Sequence, residues 1–78
     1  MARLRLFASI RVAAGTGRAE IEGATVDEVV ANATTRFGPE FAVLVQTCRV
    51  WLNGEPAVGT EAVGASDEVA ILPPVSGG

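Results

Sequence analysis

Apolar and polar positions alternate from the first residues of the chain. Leu4 and Leu6 fall on one side and Arg3, Arg5 and Phe7 on the other, which predicts a strand from Arg3 to about Ser9. Ala13-Ala14-Gly15-Thr16-Gly17 is turn material, and Ala19-Glu20-Ile21-Glu22 reads as a short return strand, so the two predict a hairpin closed by Gly23. The period then changes. Thr25-Val26-Asp27-Glu28 has capping-box spacing, with Thr25 as N-cap and Glu28 placed to reach back to the Thr25 N–H. Val26, Val29, Val30, Ala33 and Phe37 follow at helical spacing, and Gly38-Pro39 supplies a C-cap and a stop.

Phe41-Ala42-Val43-Leu44-Val45 is a continuous apolar run, read as a short helical segment after Pro39 and Glu40. Arg49-Val50-Trp51-Leu52 predicts a third strand, and Asn53-Gly54 a tight hairpin turn. Pro56 restricts the next strand to a short or edge piece around Ala57-Val58. Gly59 to Ser66 reads as a loop with one possible turn, and Glu68 to Leu72 as the last strand. The order fits one sheet around one helix. If the first and last strands are neighbours, the connection through the helix makes them parallel. Leu4, Leu6, Val69 and Ile71 then face the helix, while Phe7, Ala70 and Leu72 face away and offer a partner an apolar patch.

Seventy-eight residues make one small domain. One cysteine, Cys48, and no histidine rule out an intrachain disulfide and give no zinc ligand set, so packing must supply the stability. A net charge of −3 argues against a nucleic-acid partner. The start of the chain is neither a signal-peptide core nor a membrane span, so no membrane partner is expected and the expected location is cytoplasmic. All six basic residues are arginine. Without lysine, only the α-amino group could accept an activated carboxylate, so side-chain isopeptide chains of this protein on itself are excluded.

The candidate chemistry lies at the other end. The last strand runs into Pro73-Pro74-Val75-Ser76-Gly77-Gly78. Prolines cannot donate to a ladder and favour an extended exit, so the expected division is a domain over residues 1–72 and a flexible tail over 73–78. At about 3.1 to 3.5 Å per residue the tail could reach roughly 20 Å. Terminal glycines, lacking a Cβ, let a neighbouring surface close on the main chain, which makes the Gly78 carboxylate the candidate reactive group.

Phe7-Ala8-Ser9-Ile10-Arg11, Val50-Trp51-Leu52-Asn53-Gly54 and the run from Asp67 through Leu72 to Gly78 resemble the MoaD/ThiS family of ubiquitin-like sulfur carriers, in particular molybdopterin synthase small subunits. The resemblance covers the whole chain. The Pro-Pro-Val-Ser run before Gly-Gly is its most specific part, because thiamine-pathway carriers usually lack it. Ser66 departs from the pattern, standing where the family commonly has glycine. The resemblance implies an α+β, β-grasp (ubiquitin-like) fold with a mixed sheet around one main helix. It also implies that an adenylating enzyme related to ubiquitin activators uses ATP on Gly78, and that a sulfur donor protein displaces AMP to leave a thiocarboxylate. It implies no permanently bound cofactor. The molybdopterin synthase large subunit, in a heterotetramer of two small and two large subunits, would thread Pro73, Pro74, Val75, Ser76 and Gly77 into its active site. There the sulfur would pass to a cyclic pyranopterin precursor, with the catalytic side chains on the large subunit. Phe7, Ala70, Leu72 and the family-matched Arg11 would form the interface.

Other features read more plainly. Cys48 reads as a small buried hydrophobe, Trp51 as core or partial core, and the pairs Glu20/Glu22 and Asp67/Glu68 as solvated charge, without a neighbouring histidine for acid–base work. Two other functions stay open: a sulfur carrier for thiamine, cysteine or tRNA thiolation, and a β-grasp interaction module or modifier joined to target lysines.

Overall fold

A computed structural model of the chain describes residues 1–74; Val75, Ser76, Gly77 and Gly78, on which the threading and carboxylate expectations fall, lie outside the described residues. The elements are β1 (Ala2–Leu6), α1 (Ala8–Ala14), β2 (Arg18–Ile21), α2 (Val26–Phe37), α3 (Pro39–Val45), β3 (Arg49–Leu52), β4 (Glu55–Pro56) and β5 (Glu68–Leu72). The strands form one mixed sheet in the order β2-β1-β5-β3-β4. β1 and β5 are parallel neighbours, with Leu4 opposite Val69 and Leu6 opposite Ile71. This is the arrangement expected of first and last strands joined through a helix.

The capping box forms one residue wider than its spacing suggests: Thr25 Oγ1 accepts from Glu28 N at 3.2 Å, while Glu28 Oε1 accepts from Ala24 N at 2.9 Å. Val26, Val29 and Ala33 of α2 are buried, and Val30 and Phe37 pack against the core. Gly38 caps α2, its N–H donating to the Thr34 carbonyl at 3.0 Å. Pro39 does not merely stop that helix. It opens α3 at the first turn, where a missing N–H costs nothing. Phe41 is fully buried there, with its ring centroid 5.3 Å from that of Phe37.

Two expectations are corrected. The first strand ends at Leu6, and residues 8–14 form a helix rather than the end of a hairpin arm. Ile10 and Ala14 lie one turn apart on its core side, and Gly15, at φ 78°, closes it with its N–H on the Arg11 and Val12 carbonyls. β1 and β2 still pair antiparallel, but across this helix. The fourth strand is Glu55–Pro56, not the Ala57-Val58 region. Asn53 and Gly54 at φ 51° and 86° make a two-residue turn, so pairing resumes at once, Leu52 opposite Glu55 and Trp51 opposite Pro56.

Both sheet edges are guarded. Pro56 blunts the two-residue edge β4. On β2, Leu6 N donates to Gly17 O, which turns the main-chain groups of residues 18, 20 and 22 outward. Their carbonyls and the Arg18 N–H are occupied: Thr16 Oγ1 bonds both N and O of Arg18, Arg36 donates to Glu20 O, and Asn32 to Glu22 O. Among the described residues no helix is long and apolar enough to cross a membrane.

Candidate functional site

The sheet has one side buried under the helices and one side open. Leu4, Leu6, Ile21, Val69 and Ile71 are buried on the inner side against Ile10, Val29, Ala33 and Phe41. Strand alternation places Arg3, Arg5, Arg18, Glu20, Arg49, Trp51, Glu68, Ala70 and Leu72 on the other side. The register sets rows across it. Arg18, Arg5, Ala70, Trp51 and Pro56 stand side by side, and Leu72 lies opposite Arg49.

Phe7 is on this outer side although it is not part of a strand. It is the N-cap of α1, 37% exposed, and its ring lies against the Arg5 guanidinium, 5.4 Å from carbon to centroid. Its position follows that of Leu6, the last residue paired with β5. Ala8 immediately follows with φ 52°, a left-handed conformation disfavoured for a residue with a Cβ. Arg11 is not near the end of the first strand, as its sequence position suggests, but in the middle of α1. Its side chain lies so close over Gly17 that a Cβ there would stand 3.0 Å from Nε.

Ala70 and Leu72 thus lie on the open side of β5, before Pro73 and Pro74, while Phe7 and Arg11 line a separate hollow with Arg5 and Arg18. Sequence reasoning assigned Trp51 to the core or partial core. The structure places it, half-buried, on the open side opposite Ala70, while Val50 and Leu52 pack inward. Alternation from those flanking apolar residues is the signal that separates them. Arg49, beside Leu72, was likewise not singled out.

The turn entering β5 has a fixed polar lock. Asp67 Oδ1 accepts from Asn53 Nδ2 at 3.0 Å and Oδ2 from Gly64 N at 2.8 Å, while Asn53 Oδ1 accepts from Glu68 N at 2.9 Å. Ser66 needs no left-handed backbone in this turn, and its carbonyl accepts from Arg3 Nη2 at 3.0 Å. The Asn53 bond, and secondarily the Gly64 N–H, hold the Asp67 carboxyl below its usual range. A depressed folded pKa stabilises above the unfolded value and ceases to do so as pH falls through the folded one. Asp67→Ala is therefore expected to lower the melting temperature at pH 7, with the gap from wild type narrowing below about pH 4; an unchanged gap in acid would show that the carboxylate charge is not responsible.

Cys48 packs against the core and its thiol donates to Leu44 O at 3.3 Å. Burial raises its pKa, which keeps it a thiol at neutral pH and makes it a poor nucleophile. Glu68 pairs with Arg5 at 3.6 Å rather than forming a carboxylate pair with Asp67. The face so assembled offers contact and charge.

Comparison with known proteins converges on one group. The family model described as the ThiS family matches residues 4–78. Small archaeal modifier protein 1 of Haloferax volcanii is 38% identical over 85 residues, covering 95% of this chain and 97% of that protein. The structure of a putative molybdopterin converting factor, subunit 1, from Pyrococcus furiosus superposes with a TM-score of 0.83 at 26% identity, covering 95% of this chain and 97% of that one. A chain in the Amycolatopsis orientalis BexX/CysO complex does so with a TM-score of 0.81 at 26% identity, with both chains fully covered.

Proposed function

Because the chain belongs to the ThiS family of ubiquitin-like sulfur carriers and modifiers, we propose that it is a sulfur carrier acting as the small subunit of molybdopterin synthase. The observation that carries the reading is the run Pro73-Pro74-Val75-Ser76-Gly77-Gly78, which follows β5 directly in the sequence. Likeness to the putative molybdopterin converting factor subunit supports the choice of pathway.

In this reading an adenylating enzyme joins the Gly78 carboxylate to AMP from ATP, with pyrophosphate leaving. The activation is needed because a carboxylate is a poor electrophile. A donor's sulfur then displaces AMP, and the thiocarboxylate is carried to the large subunit in a two-plus-two heterotetramer in the cytoplasm. The folded domain positions the arm, and Phe7, Ala70, Leu72 and Arg11 contact the receiving protein.

The likeness to a protein named as a modifier favours a second reading, in which Gly78 is joined to lysines of other proteins. One experiment separates the two. With ATP, an adenylating enzyme and a sulfur source, the carrier reading expects the intact mass to rise by about 16 units as sulfur replaces oxygen at Gly78. The loaded chain should then yield molybdopterin with a large subunit and precursor. Amide-linked conjugates without molybdopterin formation would replace this reading with the modifier one.

A further inference from the structure

Five of the six arginines lie on or beside the open face, although the chain as a whole carries a net charge of −3. Arg5 and Arg18 stand directly opposite each other on β1 and β2. Like charges in that relation destabilise a sheet. Glu68 reaches Arg5 at 3.6 Å, and this is the one ion pair among the described residues. Arg11 and Arg18 have no side-chain hydrogen-bond or ion-pair partner among those residues. Arg5, Phe7, Arg11, Thr16, Gly17 and Arg18 surround a hollow of about 370 Å³.

We propose that this hollow seats an acidic segment, Asp or Glu side chains, of the adenylating enzyme that acts on the tail. The proposal rests on the carrier reading above and names the chemistry of its partner. Three guanidinium groups held together at a cost in sheet stability are complementary to carboxylates that fit between them. Phe7, with Leu72 and Trp51 on the open side, supplies apolar contact suited to a protein surface. A nucleic-acid strand would meet the repulsion of the net negative chain instead. Phe7, its ring on Arg5, joins the apolar and the charged halves of the face.

The test uses the full chain and an adenylating enzyme from the same genome, following acyl-adenylate formation. The Arg11→Gln/Arg18→Gln double variant should raise KM about tenfold with kcat within about twofold and a flatter dependence on salt. Its melting temperature should match or exceed that of wild type, since a like-charge pair has been removed. Arg36→Gln removes the same kind of charge from α2, and should leave KM within about twofold. A double variant with wild-type KM and salt response overturns the acidic seat, as does an Arg36→Gln chain showing the same loss. A wild-type chain that is never adenylated overturns the carrier reading and the seat together, whereas normal wild-type activity beside an unaffected double variant removes the seat alone.

Discussion

Deletion of Gly78 is expected to abolish sulfur loading while leaving the melting temperature unchanged. Every buried residue among those described lies at or before Ile71, so the deletion removes none of the core. It does leave the terminal carboxylate about 3.3 Å short, one extended residue, of the position at which an enzyme holds it for attack. Displacements of about 1 Å can cost roughly a hundredfold in rate, so loading should fall beyond detection in an intact-mass assay. Gly77→Val separates reach from width, keeping the length and the Gly78 carboxylate but adding a stiff, branched side chain. It should block adenylation and transfer on the enzymes, yet a thiocarboxylate prepared chemically on it should react with small electrophiles at near the wild-type rate. Molybdopterin formation at wild-type rates by Gly77→Val would remove the case for passage through a narrow channel. Sulfur loading of the chain lacking Gly78 would sink the carrier proposal itself.

Leu72→Arg is expected to weaken binding of the large subunit by at least about 2 kcal/mol, roughly 30-fold, without unfolding the domain. Leu72 is half-buried on the open side beside Arg49, at the last paired position before Pro73. An arginine there replaces apolar contact with a charge close to existing ones. Phe7→Arg should act in the same direction, because its ring is 37% exposed on the same face. Ile71→Arg gives the contrast: that side chain is fully buried, and an unpaired charge in its place should abolish cooperative folding. Affinity and thermal melting measured together decide the matter. Normal affinity in a folded Leu72→Arg variant would reject the docking face, and a collapsed melting transition would mean that Leu72 supports the core.

The elements most legible from sequence are those whose signals are local and mutually consistent. The Thr25 to Phe37 stretch has a cap, a 3.6-residue apolar stripe and a glycine stop, and it forms the expected helix, with Glu28 reaching Ala24 rather than Thr25. The alternation in Arg3–Leu6 and Val69–Leu72 is sufficient to divide each strand between two faces, and the parallel pairing of β1 with β5 follows from the intervening helix. By contrast, α1 follows a strand without a break in alternation. Ile10 is its sole buried side chain, so its helical stripe is too narrow to compete with the strand period, and Gly15 reads equally well as a turn residue.

Which residues can act as a group is a different kind of information. The sequence by itself determined that the chain is short and without a disulfide, that a strand is followed by Pro73-Pro74 and, after two residues, Gly77-Gly78, and that Leu4 and Leu6 share one side of their strand as Val69 and Ile71 do of theirs. These are properties of composition and of spacings within a single strand or helix. Only the tertiary structure decided that Arg11 from a helix lines one hollow with Arg5 and Arg18 from two strands, and that Asp67 is locked to Asn53. Those relations depend on the register between segments far apart in the chain, where a shift of one residue would exchange the two faces; no local pattern in the sequence specifies that register.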